Sequence, residues 1–238
     1  MHILRWENIP KECKRMKKEK NKLKVKENEM IRMENLLALE EKIEPNEKNF
    51  DKIMFIYSIG TKELVNKLEI MKDEFKIFYD YDLIDHINTR IKKPESIKKK
   101  MLDRGCELTY QEMIKNINDI AGIRVICPLE KDIFTVRNLI EKLPGVQVLK
   151  EKDYVTKPKE SGYSSYHLVL EVPITLAQKM MYVKVEVQIR TMAMDFWASL
   201  EHKLKYKPTG ELSKAGSKEL VSYAKMVRKL DRKMMMLN

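Results

Sequence analysis

Tyr182-Val-Lys-Val-Glu-Val-Gln-Ile-Arg190 alternates apolar and polar residues without a break, placing Val183, Val185, Val187 and Ile189 on one face of a strand and Lys184, Glu186, Gln188 and Arg190 on the other. The apolar face is core. The other carries two cations, a carboxylate and an amide, which are costly to bring against a closed sheet unless paired or metal-bound, so this face is expected to line a cleft. An edge strand with a solvated charged face gives the same pattern, and the strand alone leaves both readings open.

Further strands are expected at 84–92, where Ile87, Thr89 and Ile91 alternate with Asn88, Arg90 and Lys92, and at 122–127, 146–149 and 166–172. Helical spacing marks 11–44, 110–118, 192–203 and 217–236, a start at Pro94, and 131–143 stopped by Pro144-Gly145. A long helix over 50–78 carries Ile53, Tyr57, Leu64, Leu68 and Met71, with Gly60 a potential kink. Residues 152–164 read as a loop from their Pro, Gly and Ser content. In 192–203 the stripe Ala193, Phe196, Trp197, Leu200 and Leu204 is expected in the core. The last helix carries Leu220, Tyr223, Val227, Leu230 and Met234, and has to dock on its own domain or on another subunit.

The chain has 238 residues, 43% of them hydrophobic, enough for one good core with helical appendages. No apolar run is long enough to span a bilayer and the first residues lack a signal-peptide layout, so a cytoplasmic protein without membrane attachment is expected. Three scattered cysteines argue against a disulfide framework or a zinc site. The net charge of +11 sits at the ends: residues 1–30 hold ten Lys/Arg against five Asp/Glu, and residues 203–238 ten against three. Such ends fit attraction to a polyanion such as RNA, or equally a set of solvated helix faces.

Only seven glycines are present, and none forms a phosphate-cradling loop of the G-x-x-x-x-G-K-[ST] or G-x-G-x-x-G type. Side chains must therefore hold any bound phosphate. Arg90, Lys92, Lys98 to Lys100, Arg124 and the stretch from Lys159 to His167 supply the cations, and Asp119 and Glu186 supply two carboxylates. A paired Asp and Glu suits magnesium, which takes few protein oxygens and completes its shell with substrate phosphates. Asp119 would equally serve as a turn cap, Tyr163 as a packing residue and His167 as a structural histidine.

Five ordered segments resemble the successive motifs of the RelA/SpoT-type synthetase domain: Arg-Ile-Lys-Lys-Pro-Glu-Ser-Ile-Lys-Lys-Lys (90–100), Asn-Asp-Ile-Ala-Gly-Ile-Arg-Val (118–125), Ser-Gly-Tyr-Ser-Ser-Tyr-His (161–167), Val-Glu-Val-Gln-Ile-Arg-Thr (185–191) and Ala-Met-Asp-Phe-Trp-Ala-Ser-Leu-Glu-His-Lys-Leu (193–204). The likeness is greatest to the small alarmone synthetases. It implies an α+β fold, a nucleotidyltransferase-like mixed β-sheet flanked by helices, to which the helical spacing at the ends adds helical N- and C-terminal extensions. It implies transfer of the β,γ-pyrophosphate of ATP to the 3′-hydroxyl of GDP or GTP, giving (p)ppGpp and AMP, with Mg2+ as cofactor. Arg90 and Arg124 would sandwich the adenine, and Lys92, Ser96 and Lys100 would follow the ATP phosphates. Asp119 and Glu186 would hold the metal, and Glu186 would also take the proton of the attacking hydroxyl. Tyr163 would stack on the acceptor guanine, with Lys159 and His167 near its phosphates and Gln188 and Asp195 near its nucleoside. Ser164 departs from the family's usual Gly-Tyr-Arg-Ser, and Asp195 stands where some members carry Asn.

Three segments are expected: a basic helical extension over 1–49, the synthetase domain over 50–207, and an oligomerising helix over 208–238. A homotetramer is common among relatives of this size. Two other functions stay open, pyrophosphate transfer to adenine nucleotides or a tRNA 3′ end, and a catalytically weak nucleotide- or RNA-binding regulator.

Overall fold

The structure, a computed structural model, describes residues 31–32, 47–177, 179–205 and 213–237. These form β1 (Ile31–Arg32), α1 (Glu47–Tyr79), β2 (His86–Ile91), α2 (Pro94–Asp103), α3 (Tyr110–Asn116), β3 (Ala121–Cys127), α4 (Glu130–Glu141), β4 (Gln147–Asp153), β5 (Tyr166–Leu176), β6 (Lys179–Thr191), α5 (Met192–Lys205) and α6 (Lys214–Met235). The sheet runs β2-β3-β6-β5-β4; β3 and β6 are parallel, and the other neighbours on this path are antiparallel.

The alternating stretch is the middle strand, bonded on both sides, and Val183, Val185, Val187 and Ile189 are completely buried. A central strand has no solvated edge, which removes the edge-strand reading, and its polar side chains Lys184, Glu186 and Gln188 are only partly exposed and Arg190 is buried, as the wall of a cleft requires. Helix α1 covers the apolar face with Tyr57, Leu64 and Leu68, each worth about 1.5–3 kcal/mol of burial. Gly60 does not kink it: α1 runs unbroken, and a Cβ at this position would lie 3.1 Å from the Val183 Cβ and Cγ1. The glycine lets the helix backbone approach the sheet closely.

Local chemistry sets the other element ends. Pro94 opens α2 after an extended Lys93. The Thr109 hydroxyl caps α3 by accepting from the Glu112 N–H at 3.2 Å. Buried Asp132 ties down the start of α4, accepting from the Leu129 N–H at 3.1 Å and the Tyr81 hydroxyl at 2.7 Å.

Three further expectations change. Ile31 and Arg32, expected within a helix, form a short parallel strand beside Met181 and Tyr182, where the start of β6 extends past β3 and offers free backbone groups; the rest of 11–44 lies outside the described residues. The strand expected at 146–149 runs longer, Gln147–Asp153, because β5 offers a partner along that length. Helix α5 buries Met194, Trp197 and Ala198 but leaves Phe196 and Leu200 exposed, since its inward side is set by packing on α6. Helix α6 buries Leu220, Ala224 and Asp231 and turns Tyr223, Leu230 and Met234 outward, about half exposed.

Candidate active site

Strand register assembles the polar face. In one row across the sheet lie Arg90, Gly122 and Glu186; in the next lie Asn88, Arg124, Gln188 and His167. Gly122 places no side chain between Arg90 and Glu186, which opens the floor of a cavity of about 360 Å³ bounded by Arg90, Lys92, Asp119, Arg124, Glu186 and Gln188. A second cavity of about 440 Å³ shares Arg90 and Arg124 with the first and extends to Tyr163, Arg190, Ser199 and His202. Both arginines thus stand where the two cavities meet, an arrangement open to a planar aromatic guest. Lys184 leaves the cleft and donates to the Ile114 carbonyl at 3.2 Å, at the C-terminal end of α3, where a cation is favoured.

Asp119, just before β3, is the anionic centre of the cation cluster. Its Oδ2 accepts from Lys100 Nζ at 2.7 Å and Lys92 Nζ at 3.0 Å. Burial pushes this carboxyl up, and the bonds and charges of Lys100 and Lys92 outweigh it, leaving the group below the usual carboxylate range. Its Oδ1 is buried with no hydrogen-bond partner. That free oxygen, on a cavity wall shared with Glu186, fits a hard divalent cation that needs few protein ligands. Among the described residues no group of three or more His, Cys, Asp or Glu side chains is gathered for metal binding, so such an ion would rest on this pair and on its substrate.

Glu186 heads a chain of polar contacts. Gln188 Nε2 donates to its Oε2 at 3.0 Å, and His167 Nδ1 lies 3.4 Å from its Oε1. His167 Nε2 lies 2.8 Å from the Tyr163 hydroxyl, which accepts from Arg190 at 2.6 Å. With Arg190 donating to the Tyr163 oxygen, the tyrosine proton is left to point at His167 Nε2, and a proton on Nδ1 is the one that faces Glu186. Burial raises the Glu186 carboxyl, but His167 and Gln188 outweigh burial and the nearby Asp119 charge, so the group lies below its usual range and is ionised at neutral pH.

Arg190 was named from the sequence only as part of the polar face, yet it is the hub. Buried to 5% exposure, it donates to Gln188 Oε1 at 2.6 Å and Asp195 Oδ1 at 3.0 Å, and its guanidinium stands 5.1 Å from the Tyr163 ring centroid. Asp195 Oδ1 also pairs with Arg124 at 3.0 Å. Its carboxylate therefore bridges Arg124 to Arg190, a contact that the expected role near the acceptor nucleoside did not foresee.

Lys159 lies 4.7 Å from the Tyr154 ring centroid and 4.9 Å from that of Tyr163, and Tyr154 packs edge-on against Tyr163 and His167. The sequence marks Tyr154 only as an aromatic in a lysine-rich loop. Ser164 is buried and donates to the Tyr154 carbonyl at 2.9 Å, so the position that loses a cation gains a tie within the loop. Ser96 stands on the first turn of α2, partly exposed and outside the lining of both cavities.

Comparison with known proteins agrees with this geometry. The chain is 41% identical over 182 residues to the GTP pyrophosphokinase YwaC of Bacillus subtilis, covering 76% of this chain and 87% of that protein. The crystal structure of small alarmone synthetase 2 from Bacillus subtilis superposes with a TM-score of 0.72 at 37% identity, covering 79% of this chain and 97% of that one. Small alarmone synthetase 1 from the same organism, bound to its product pppGpp, superposes with a TM-score of 0.74 at 31% identity, covering 80% and 97%. Residues 89–211 match the region found in RelA / SpoT proteins, and they hold both carboxylates, the paired arginines and the Tyr163 loop: the chain belongs to the RelA/SpoT family.

Proposed function

We propose that this chain is a GTP pyrophosphokinase that transfers the β,γ-pyrophosphate of ATP to the 3′-oxygen of GDP or GTP, releasing AMP and forming (p)ppGpp. The carrying observation is the meeting of Asp119 and Glu186 on one cavity wall rimmed by Arg90, Lys92 and Arg124. Pyrophosphoryl transfer needs positioning and charge neutralisation rather than covalent help from the protein, and this wall supplies both.

Arg90 and Arg124 clamp the adenine, with Arg124 held in place by Asp195. Lys92 and Lys100 face the ATP phosphates, and Ser96 on the first turn of α2 is the outermost member of that group. Tyr163 stacks on the guanine, with its hydroxyl fixed by Arg190 and its ring flanked by Lys159. The acceptor 3′-oxygen attacks the β-phosphorus, the bond from that phosphorus to the α-phosphate oxygen breaks, AMP leaves, and the hydroxyl proton passes to Glu186. His167 and Gln188 hold Glu186 ionised for that transfer. Asp119 and Glu186 would hold magnesium, which would supply positive charge to neutralise the phosphoryl oxygens.

The test is AMP release and product chromatography with labelled ATP and GDP, GTP, ATP or deacylated tRNA. Glu186→Gln should lower transfer to the guanosine nucleotides by roughly 10²–10⁴-fold, the usual range for removing a general base. Transfer to tRNA or to an adenosine acceptor, or equal activity in Glu186→Gln, would overturn this reading.

Self-association is supported by the outward apolar residues Tyr223, Met226, Leu230 and Met234 on α6, a continuous stripe that water does not favour. Leu230→Glu should yield smaller particles on sedimentation. Among the described residues no helix is long and apolar enough to cross a membrane. The reaction is assigned to the cytoplasm, where its nucleotide substrates are held.

A further inference from the structure

The loop that presents Tyr163 does not stand free: its back rests on the C-terminal helix. Gly162 has φ +90°, a left-handed conformation suited to glycine, and a Cβ there would run into the Ala224 Cβ of α6. The same point lies 3.6 Å from Trp197 Cζ2 and 3.7 Å from the Val221 Cα, so helix backbone and indole wall the loop in. Tyr163 packs against the small cluster made by Trp197, Ala198, Leu220 and Ala224.

Helix α6 is in turn fixed from the domain side. Trp197 Nε1 donates to the Leu220 carbonyl at 3.1 Å, a bond to helix backbone that no side-chain change on α6 removes. About three helical turns further on, the Thr191 hydroxyl, at the end of β6, donates to buried Asp231 at 2.6 Å. The loop thus sits between a helix pinned at two points and the chain His167–Glu186 that begins at the Tyr163 hydroxyl.

We infer that α6 is a positioning element of the acceptor site: Ala224, seated on Gly162, sets the height at which Tyr163 meets the acceptor base. Bulk at position 224 lifts the loop, and acceptor binding, which requires the seated loop, tightens α6 onto the domain. Linkage makes the two effects reciprocal. The donor clamp Arg90–Arg124 lies on β2 and β3 and is joined to the Tyr163 loop through Asp195 and Arg190, so donor affinity moves less than acceptor affinity when the loop is lifted. This rests on the reading of the Tyr163 loop as the acceptor loop.

The test uses the full chain. Ala224→Val should raise the KM for GDP roughly tenfold, as expected for a modest overpacking cost, and leave the KM for ATP within about twofold. A general loss of fold would lower the apparent kcat and leave both KM values near native. Tyr163→Ala serves as the control: if it leaves the GDP KM unchanged, the loop is not the acceptor loop and the inference falls with that assignment. If Tyr163→Ala raises the GDP KM and Ala224→Val raises both constants equally or neither, only the role of α6 is overturned. Should Ala224→Val fail to fold, hydrogen exchange on the native chain decides: saturating GDP should slow exchange across residues 220–231, and unchanged exchange there refutes the inference.

Discussion

Replacing Arg190 by methionine keeps most of the side-chain volume and removes the guanidinium that joins Tyr163, Gln188 and Asp195. Asp195 keeps Arg124 as a partner, so the carboxylate is not stranded, and the loss falls on the bonds that orient Tyr163 and Gln188. Each is a bond from a charged donor, worth about 1.5 kcal/mol at the low end of its range, so the two together cost about 3 kcal/mol. If those bonds act in the transition state, kcat/KM for GDP falls by roughly 10²-fold, at about 1.4 kcal/mol per decade. The assay is initial-rate AMP release at varied GDP with ATP saturating, beside a thermal unfolding curve showing a folded protein. Arg190→Lys should be intermediate, because an ammonium carries the charge but not the fork that reaches several acceptors at once. A folded Arg190→Met variant with kcat/KM within about threefold of native would refute the view that this hub organises the acceptor side.

Leu68→Ala empties a fully buried position between α1 and the sheet, and should cost about 2–5 kcal/mol, lowering Tm by roughly 5–15 °C in differential scanning calorimetry. Gly60→Leu drives a side chain into Val183 and should destabilise by about 1–3 kcal/mol, measured by urea unfolding. Asp119 and Glu186 are both held below their unfolded values, so their contribution to stability is present above the ordinary carboxylate range and is lost as pH falls through the lower folded values. Lys100→Met removes one of the groups that lowers Asp119, raises that carboxyl relative to the native protein, and should move the acid unfolding midpoint to higher pH, followed by near-ultraviolet circular dichroism; an unchanged midpoint would show that the pair does not stabilise the fold.

The alternation of 182–190 carried much of the fold because period 2 reports which face a residue takes, and the face decides what reaches the cavity. Glu186 and Gln188 follow from it directly, and Arg90 and Arg124 follow once their strands are placed beside β6. Periodicity is silent on partners. Arg190 shares the face of Glu186, but its place at the junction of a loop, a helix and a strand is a tertiary fact, and so is the bridge that Asp195 makes between two arginines. Gly60 was misread for the same reason, since a glycine inside a helix pattern has one local signature whether it bends the chain or admits a neighbour. Phe196 is exposed because α5 is oriented by Trp197 docking on α6, a choice made by packing and not by the stripe itself.

The parallel pairing of β3 with β6 also bears on how activity is acquired during folding. Gly122 meets Glu186 only after α4, β4 and β5 have been laid down between them, whereas β5 and β6 are neighbours in sequence and form a hairpin. Closing the longer loop is entropically the slower event. A chain that has completed only the hairpin holds Glu186, His167 and Tyr163 but does not have Arg90 and Arg124 beside them. Catalysis therefore switches on with the last long-range pairing, and a nascent or partly unfolded molecule has no means of issuing the signal nucleotide.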